Sequence, residues 1–167
     1  MLSDKPKQGA KTFDFVCFPT KVCIQLSDPS SGIAGIELLR ILIDEEGLSF
    51  TQAWMLVTAS LNYTMTSFTR ASLKSLNKSN EVKMQISDFW DFDIVKRVLP
   101  RHAELILILQ QFLHRQISST SDNHVDCAQR LSRVGLIINR KEGDQIATYV
   151  KMANLCFLCS HKVSGVS

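Results

Sequence analysis

Hydrophobic positions change their spacing along this chain, and each change marks an element. Val22, Ile24 and Leu26 alternate with Cys23 and Gln25 and stop at Ser27-Asp28-Pro29. A two-residue period closed by turn-forming residues predicts a short buried strand. A loop through Ser30, Ser31, Gly32 and Gly35 follows. Ile36, Leu38, Leu39, Leu42 and Ile43 then recur at helical spacing, with Gly47 as the stop. Ser49 and Gln52 have the spacing of a capping box, in which a hydroxyl and a side-chain amide satisfy backbone donors left over at a helix start. The helix they open carries Ala53, Trp54, Leu56, Val57 and Leu61. Two helices joined by a short turn are expected here.

Ser, Asn and Lys fill Ser75 to Phe89, which predicts a surface loop. Asp91 is placed to cap a longer helix through Ile94, Val95, Val98, Leu105, Ile108, Leu109 and Phe112. Pro100 removes a backbone donor inside that run and should kink it or split it in two. Ser118 to His124 reads as a polar linker and Val125 to Arg133 as a short helix. Leu136-Ile137-Ile138 and Ala147 to Met152 read as strands flanking a turn at Lys141 to Gln145. The sequence holds no internal repeat.

Composition narrows the class of protein. The 167 residues, 45% hydrophobic and 21% charged, suit one domain with its own core. The net charge of +3 is spread along the chain rather than gathered in a basic stripe, so no nucleic-acid partner is expected. The polar start, MLSDKPKQGAKTF, lacks the apolar core of a secretory signal. No run approaches the roughly 18 apolar residues of a membrane span; the densest, Leu105 to Leu109, is flanked by Glu104 and Gln110. A cytoplasmic protein with no membrane partner is the expectation, and five unpatterned cysteines fit reduced thiols there.

Three local patterns invite chemistry. Cys156-x-x-Cys159 with His161 suggests a redox or metal site. A redox pair belongs at a helix start, where the dipole lowers the thiol pKa. A structural zinc site wants four ligands, and no partner pair stands at finger spacing. Buried, inert thiols are the expected reading. Phe50 and Trp54 offer either a ligand-stacking face or core packing, with packing expected. Arg101-His102 offers an acid–base pair, but follows a helix-breaking proline and is expected to be structural. No Gly-rich phosphate cradle and no nucleophile–base pair is present.

Longer blocks carry a family resemblance. Lys21-Val22-x-Ile24-Gln25-Leu26-x-Asp28 resembles the KVAIQLNDTHP strand of the α-1,4-glucan phosphorylases, the family of glycogen, starch and maltodextrin phosphorylases. Glu37 to Ser49, with Ala53-Trp54, resembles its PELMRILVDEEGLSWDEAW helix, and Tyr63-Thr64 opens its YTNHTVLPEALE motif. Val98 to His102 resembles its LLPRH, Val150 to Cys156 its RINMAHLC, and Ser160 to Val166 its SHAVNGV. Phe13-Asp14 and Phe18-Pro19 echo its FDAFPDK. The blocks occur in family order from Phe13 to the last residue.

The resemblance implies a helix-rich α/β fold, part of the N-terminal domain of a two-domain glycosyltransferase-B-type phosphorylase. Residues 1–12 are then a polar tail, and 13–167 a partial domain with a loop insert near 75–89. It implies phosphorolysis of α-1,4-glucan to glucose 1-phosphate, with glycogen and inorganic phosphate as partners and pyridoxal phosphate as cofactor. It also implies that the cofactor's lysine is not in this chain.

Departures fall where the family contacts its sugar. The family's Asn-Asp-Thr-His reads Ser27-Asp28-Pro29-Ser30, its sugar-bonding His reads Thr66, and its sugar-contacting Asn reads Ser164. The Pro and Glu of the same motif fall on Arg70 and Ala71, and a tyrosine of a glycogen-storage site falls on Leu107. Asp28, Thr66 and Ser164 are thus the substrate-binding candidates. A short hydroxyl cannot reach where an imidazole does, and an unpaired polar contact costs about 1–3 kcal/mol. The expectation is a chain inactive by itself. The alternatives are a non-catalytic module associating with phosphorylase subunits or glycogen, and a gene fragment without selected function.

Overall fold

The computed structural model describes residues 15–65, 89–120, 124–143 and 145–165. In chain order these hold α1 (Phe18–Lys21), β1 (Ile24–Leu26), α2 (Ile33–Arg40), α3 (Phe50–Ser60), β2 (Leu61–Met65), β3 (Phe89–Asp91) and α4 (Phe92–Val98). Then follow α5 (Pro100–Thr120), α6 (His124–Val134), β4 (Ile137–Glu142), β5 (Gln145–Lys151), α7 (Met152–Cys159) and β6 (Lys162–Gly165). No helix among the described residues is long and apolar enough to cross a membrane. The fold is mixed helix and sheet.

β1, β2 and β6 form a parallel sheet in that order, with Leu26 level with Tyr63 and Tyr63 level with Val163. β3, β5 and β4 form a second, antiparallel sheet in that order. Helices pack against both sheets. α2 packs against α3, α5 and α7, and α7 also touches β2. The core accordingly joins Leu26, Leu61 and Tyr63 to Ile36 and Leu39 of α2, Leu105, Ile106 and Leu109 of α5, and Met152 and Leu155 of α7. Removing each large apolar side chain from water contributes about 1.5–3 kcal/mol.

Local chemistry sets the element boundaries. Asp28 caps a 3-10 turn at Pro29–Gly32, so the expected loop is a tight helical turn leading straight into α2. Ser49 and Gln52 form the expected capping box on α3. Asp91 accepts from the backbone N–H groups of Asp93 and Ile94 at the head of α4. The expected long helix is split at Leu99, because Pro100 begins α5 without a donor to continue α4. Past α2 the chain widens into a π-turn over Ile41–Glu45, and Gly47, at φ +71°, reverses it.

Further expectations are corrected. Leu61 does not continue α3 but opens β2, where it pairs with Ile24. Ser118 to Thr120 belong to α5 rather than to a linker. Met152 begins α7 instead of ending a strand, and Phe89 lies in β3. The remainder of the Ser75–Phe89 loop, the tail and Thr66 lie outside the described residues.

Charge clamps the helical layer. The Arg101 guanidinium grips Asp44 with Nε and Nη2, at 2.8 and 2.6 Å, and reaches Glu104 with Nη1 at 2.7 Å. Arg40 holds Glu37 and Glu45, each at 2.8 Å. His102, nearly buried, places Nε2 2.9 Å from Glu37 Oε2. These bonds hold the carboxyls of Glu37 and Asp44 below their ordinary pKa, through Arg40 and Arg101 respectively. Asp44 of the π-turn thus finds its cation, Arg101, at the start of α5, while Glu37 and Glu45 are held by Arg40 of α2. Arg101 and His102, side by side in sequence, thus both turn toward carboxylates of α2 and its π-turn.

Candidate functional site

In a parallel sheet, ligands gather outside the carboxyl ends of the strands, where loops diverge and backbone groups remain available. Two of the three substrate-binding candidates stand at that edge. Asp28 is two residues past the end of β1, and Ser164 lies in the last turn of pleat of β6, level with Thr64 of β2. Thr66, next after the last residue of β2, lies outside the described residues.

Asp28 is already engaged. Its Oδ1 accepts from the Ser31 backbone N–H at 3.2 Å and from the Ser30 hydroxyl. An ionised carboxylate has further lone pairs, and the side chain is exposed. It can cap the turn and still meet a ligand hydroxyl. Ser164 is exposed, and its hydroxyl lies 3.0 Å from Thr64 Oγ1. Thr64 in turn accepts from the Gln25 amide at 2.7 Å.

Gln25 and Thr64 were not singled out from the sequence. The signal was the alternation in Leu61-Asn62-Tyr63-Thr64-Met65, which places Leu61 and Tyr63 inward and Asn62 and Thr64 on the opposite face. Asn62 uses that face to donate to Cys23 Sγ at 3.1 Å.

The other patterns resolve into packing. Phe50 and Trp54 stack with centroids 6.5 Å apart, and Phe112 meets Phe50 edge-on at 5.6 Å. All three pack against the core. Leu107 projects from α5 with 41% of its surface exposed, and an isolated leucine there provides no hydrogen-bonding group for a sugar.

Cys156 and Cys159 lie in the second half of α7, away from a helix start, and both are buried. Burial pushes the Cys156 thiol up to about 11 and raises that of Cys159 further. Cys156 Sγ spends its hydrogen on the Pro29 carbonyl at 3.3 Å. No group of three metal-ligating side chains occurs among the described residues. Native protein treated with a thiol-alkylating reagent at neutral pH should therefore be labelled at the exposed Cys17 and Cys23. Mass spectrometry should find Cys156 and Cys159 modified only after denaturation. Rapid native labelling of Cys156 would contradict the buried packing.

Pyridoxal phosphate needs a lysine amine free to form a Schiff base. Lys151 is the one described lysine drawn partly out of water, and burial, with Arg140 nearby, lowers its pKa. Its Nζ donates to the Ser132 carbonyl at 2.8 Å, closing the end of α6 beside Asn154, which bonds the carbonyls of Arg133 and Gly135. That amine serves a helix terminus, and the described residues do not fit the cofactor.

Comparison with known proteins places the sequence in a family. The carbohydrate phosphorylase family model matches residues 5–167. The chain is 34% identical over 160 residues to the liver form of human glycogen phosphorylase, covering 96% of this chain and 16% of the relative. It is 33% identical over 155 residues to the muscle form from sheep, covering 92% and 16%. It is 29% identical over 150 residues to the cytosolic alpha-glucan phosphorylase 2 of Arabidopsis thaliana, covering 90% and 15%. The chain thus spans about one sixth of the length of these relatives.

Proposed function

The chain belongs to the carbohydrate phosphorylase family, and from that premise we propose that it retains a weak α-1,4-glucan contact without catalysing phosphorolysis by itself. In this reading residues 13–167 correspond to part of the N-terminal domain of a two-domain, glycosyltransferase-B-type fold. Asp28, Thr66 and Ser164 are the residues left to meet the sugar.

The observation that carries the reading is that Asp28, just past β1, and Ser164, on β6, are both exposed toward the carboxyl edge of one parallel sheet, on strands far apart in sequence. The family reaction takes α-1,4-glucan and inorganic phosphate to glucose 1-phosphate. One feature supports inactivity of this chain alone: the Lys151 amine is committed to the end of α6.

Purified chain incubated with glycogen, inorganic phosphate and pyridoxal phosphate should release no glucose 1-phosphate. Titration with a maltooligosaccharide should nonetheless give saturable binding, with Kd on the order of millimolar. Asp28→Asn and Ser164→Ala should weaken it. Glucose 1-phosphate formation would overturn the inactivity. An unmoved NMR spectrum at saturating sugar would overturn the glucan contact.

A further inference from the structure

We propose that Gln25 and Thr64 are positioning residues: they form a one-way hydrogen-bond relay across the parallel sheet that turns the Ser164 hydroxyl outward as a donor. The inference rests on the reading of this edge as a sugar contact. It adds two residues and a direction to that contact.

The first step of the relay has a fixed direction. The nitrogen of a side-chain amide only donates. Gln25 Nε2 lies 2.7 Å from Thr64 Oγ1 and 3.5 Å from the Leu26 carbonyl, so nitrogen rather than oxygen faces both acceptors. Thr64 Oγ1 therefore accepts from Gln25. Thr64 has a single hydroxyl proton, and among the described residues its other partner is Ser164 Oγ at 3.0 Å. Either hydroxyl can donate across this contact; with one Thr64 lone pair taken by Gln25, the proposed relay sends the Thr64 proton to Ser164, whose oxygen then accepts from the sheet side.

The remaining proton of Ser164 then points away from the sheet, toward whatever occupies the carboxyl edge. Register makes the relay possible. Thr64 and Ser164 are level neighbours on parallel strands, and Gln25 sits two positions back on β1, level with Asn62. Three adjacent strands each contribute one member. A sugar hydroxyl oxygen is the acceptor this donor suits, while Asp28 at the same edge can accept from a neighbouring hydroxyl. Donor and acceptor thus stand at the same edge on the two outer strands of the sheet, with β2 between them.

Three substitutions separate the relay from mere sheet stability. Thr64→Val keeps the shape and removes the relay. Thr64→Ser restores it. Gln25→Glu reverses it: a carboxylate accepts the Thr64 proton, Ser164 must donate inward, and lone pairs alone remain outside. Maltooligosaccharide binding to the full chain is followed by two-dimensional NMR, together with the Gln25 side-chain amide resonances in unliganded protein.

Thr64→Val and Gln25→Glu should each weaken binding about three- to tenfold, the range of one hydrogen bond. Thr64→Ser should bind like the parent chain, and Thr64→Val should move the Gln25 amide protons upfield. Because Gln25 is exposed, Gln25→Glu gives a folded test even if Thr64→Val does not fold. Binding that Ser164→Ala weakens but Gln25→Glu and a folded Thr64→Val leave intact would overturn the relay and leave the sugar contact standing. Absence of binding by the parent chain would overturn both.

Discussion

Leu39→Ala should lower the free energy of unfolding by about 2–5 kcal/mol. Leu39 is completely buried on α2, and α2 is the element that touches α3, α5 and α7 together. Truncation therefore leaves a hole walled by several helices rather than one. Its walls are poorly placed to collapse, because Asp44 just beyond α2 is gripped by Arg101 and Gly35 at its head lies against Cys159. The cost belongs in the upper half of the range, a large share of the roughly 5–15 kcal/mol that holds a typical domain together. Urea titration by circular dichroism should show a lower midpoint with an unchanged slope. A midpoint that stays put would mean that α2 is not the centre of the core.

Gly35→Ala reverses the usual sign of a glycine-to-alanine change. In an exposed helix interior that replacement stabilises by roughly 1 kcal/mol. Here the new Cβ would lie 2.6 Å from Cys159 Sγ and 2.9 Å from its Cβ, with Leu61 Cδ2 at 3.4 Å. Cys159 is fully buried at the end of α7 and has no room to swing aside. α2 and α7 must separate, at a cost of about 1–3 kcal/mol. The thermal midpoint of Gly35→Ala should fall. Adding Cys159→Ala should recover part of the loss, because it removes the sulfur and leaves the contact at Cβ. A midpoint raised by Gly35→Ala alone would show that the helices are not in close contact.

Much of the helical layer was legible because its signals are local. Ser49 with Gln52, Asp91 and Pro100 each act within four residues of themselves, so their consequences follow without knowing the fold. The parallel sheet was harder to read. β1 has only three residues in its ladder, too few for alternation to be distinctive. Leu61 lies one helical turn after Val57 and fits the helix as well as it fits a strand; its pairing with Ile24 decides the matter. α7 was missed because Met152 prolongs the apolar run of β5 with no break in composition. The candidate site was legible only through family resemblance, which supplied Asp28 and Ser164. Nothing local links Gln25, Thr64 and Ser164. Their proximity is a property of strand order.

That strand order has a kinetic consequence. The Thr64–Ser164 pair closes a separation of 100 residues, whereas the β4–β5 hairpin closes a handful. Contacts so distant in sequence form late, because the intervening chain must be ordered before they are rewarded. The hairpin and the capped helices can assemble while the sheet is still open on the β6 side. The edge that carries Asp28 and Ser164 is then among the last parts of the molecule to be completed. Any ligand that favours it selects the finished fold over every earlier stage.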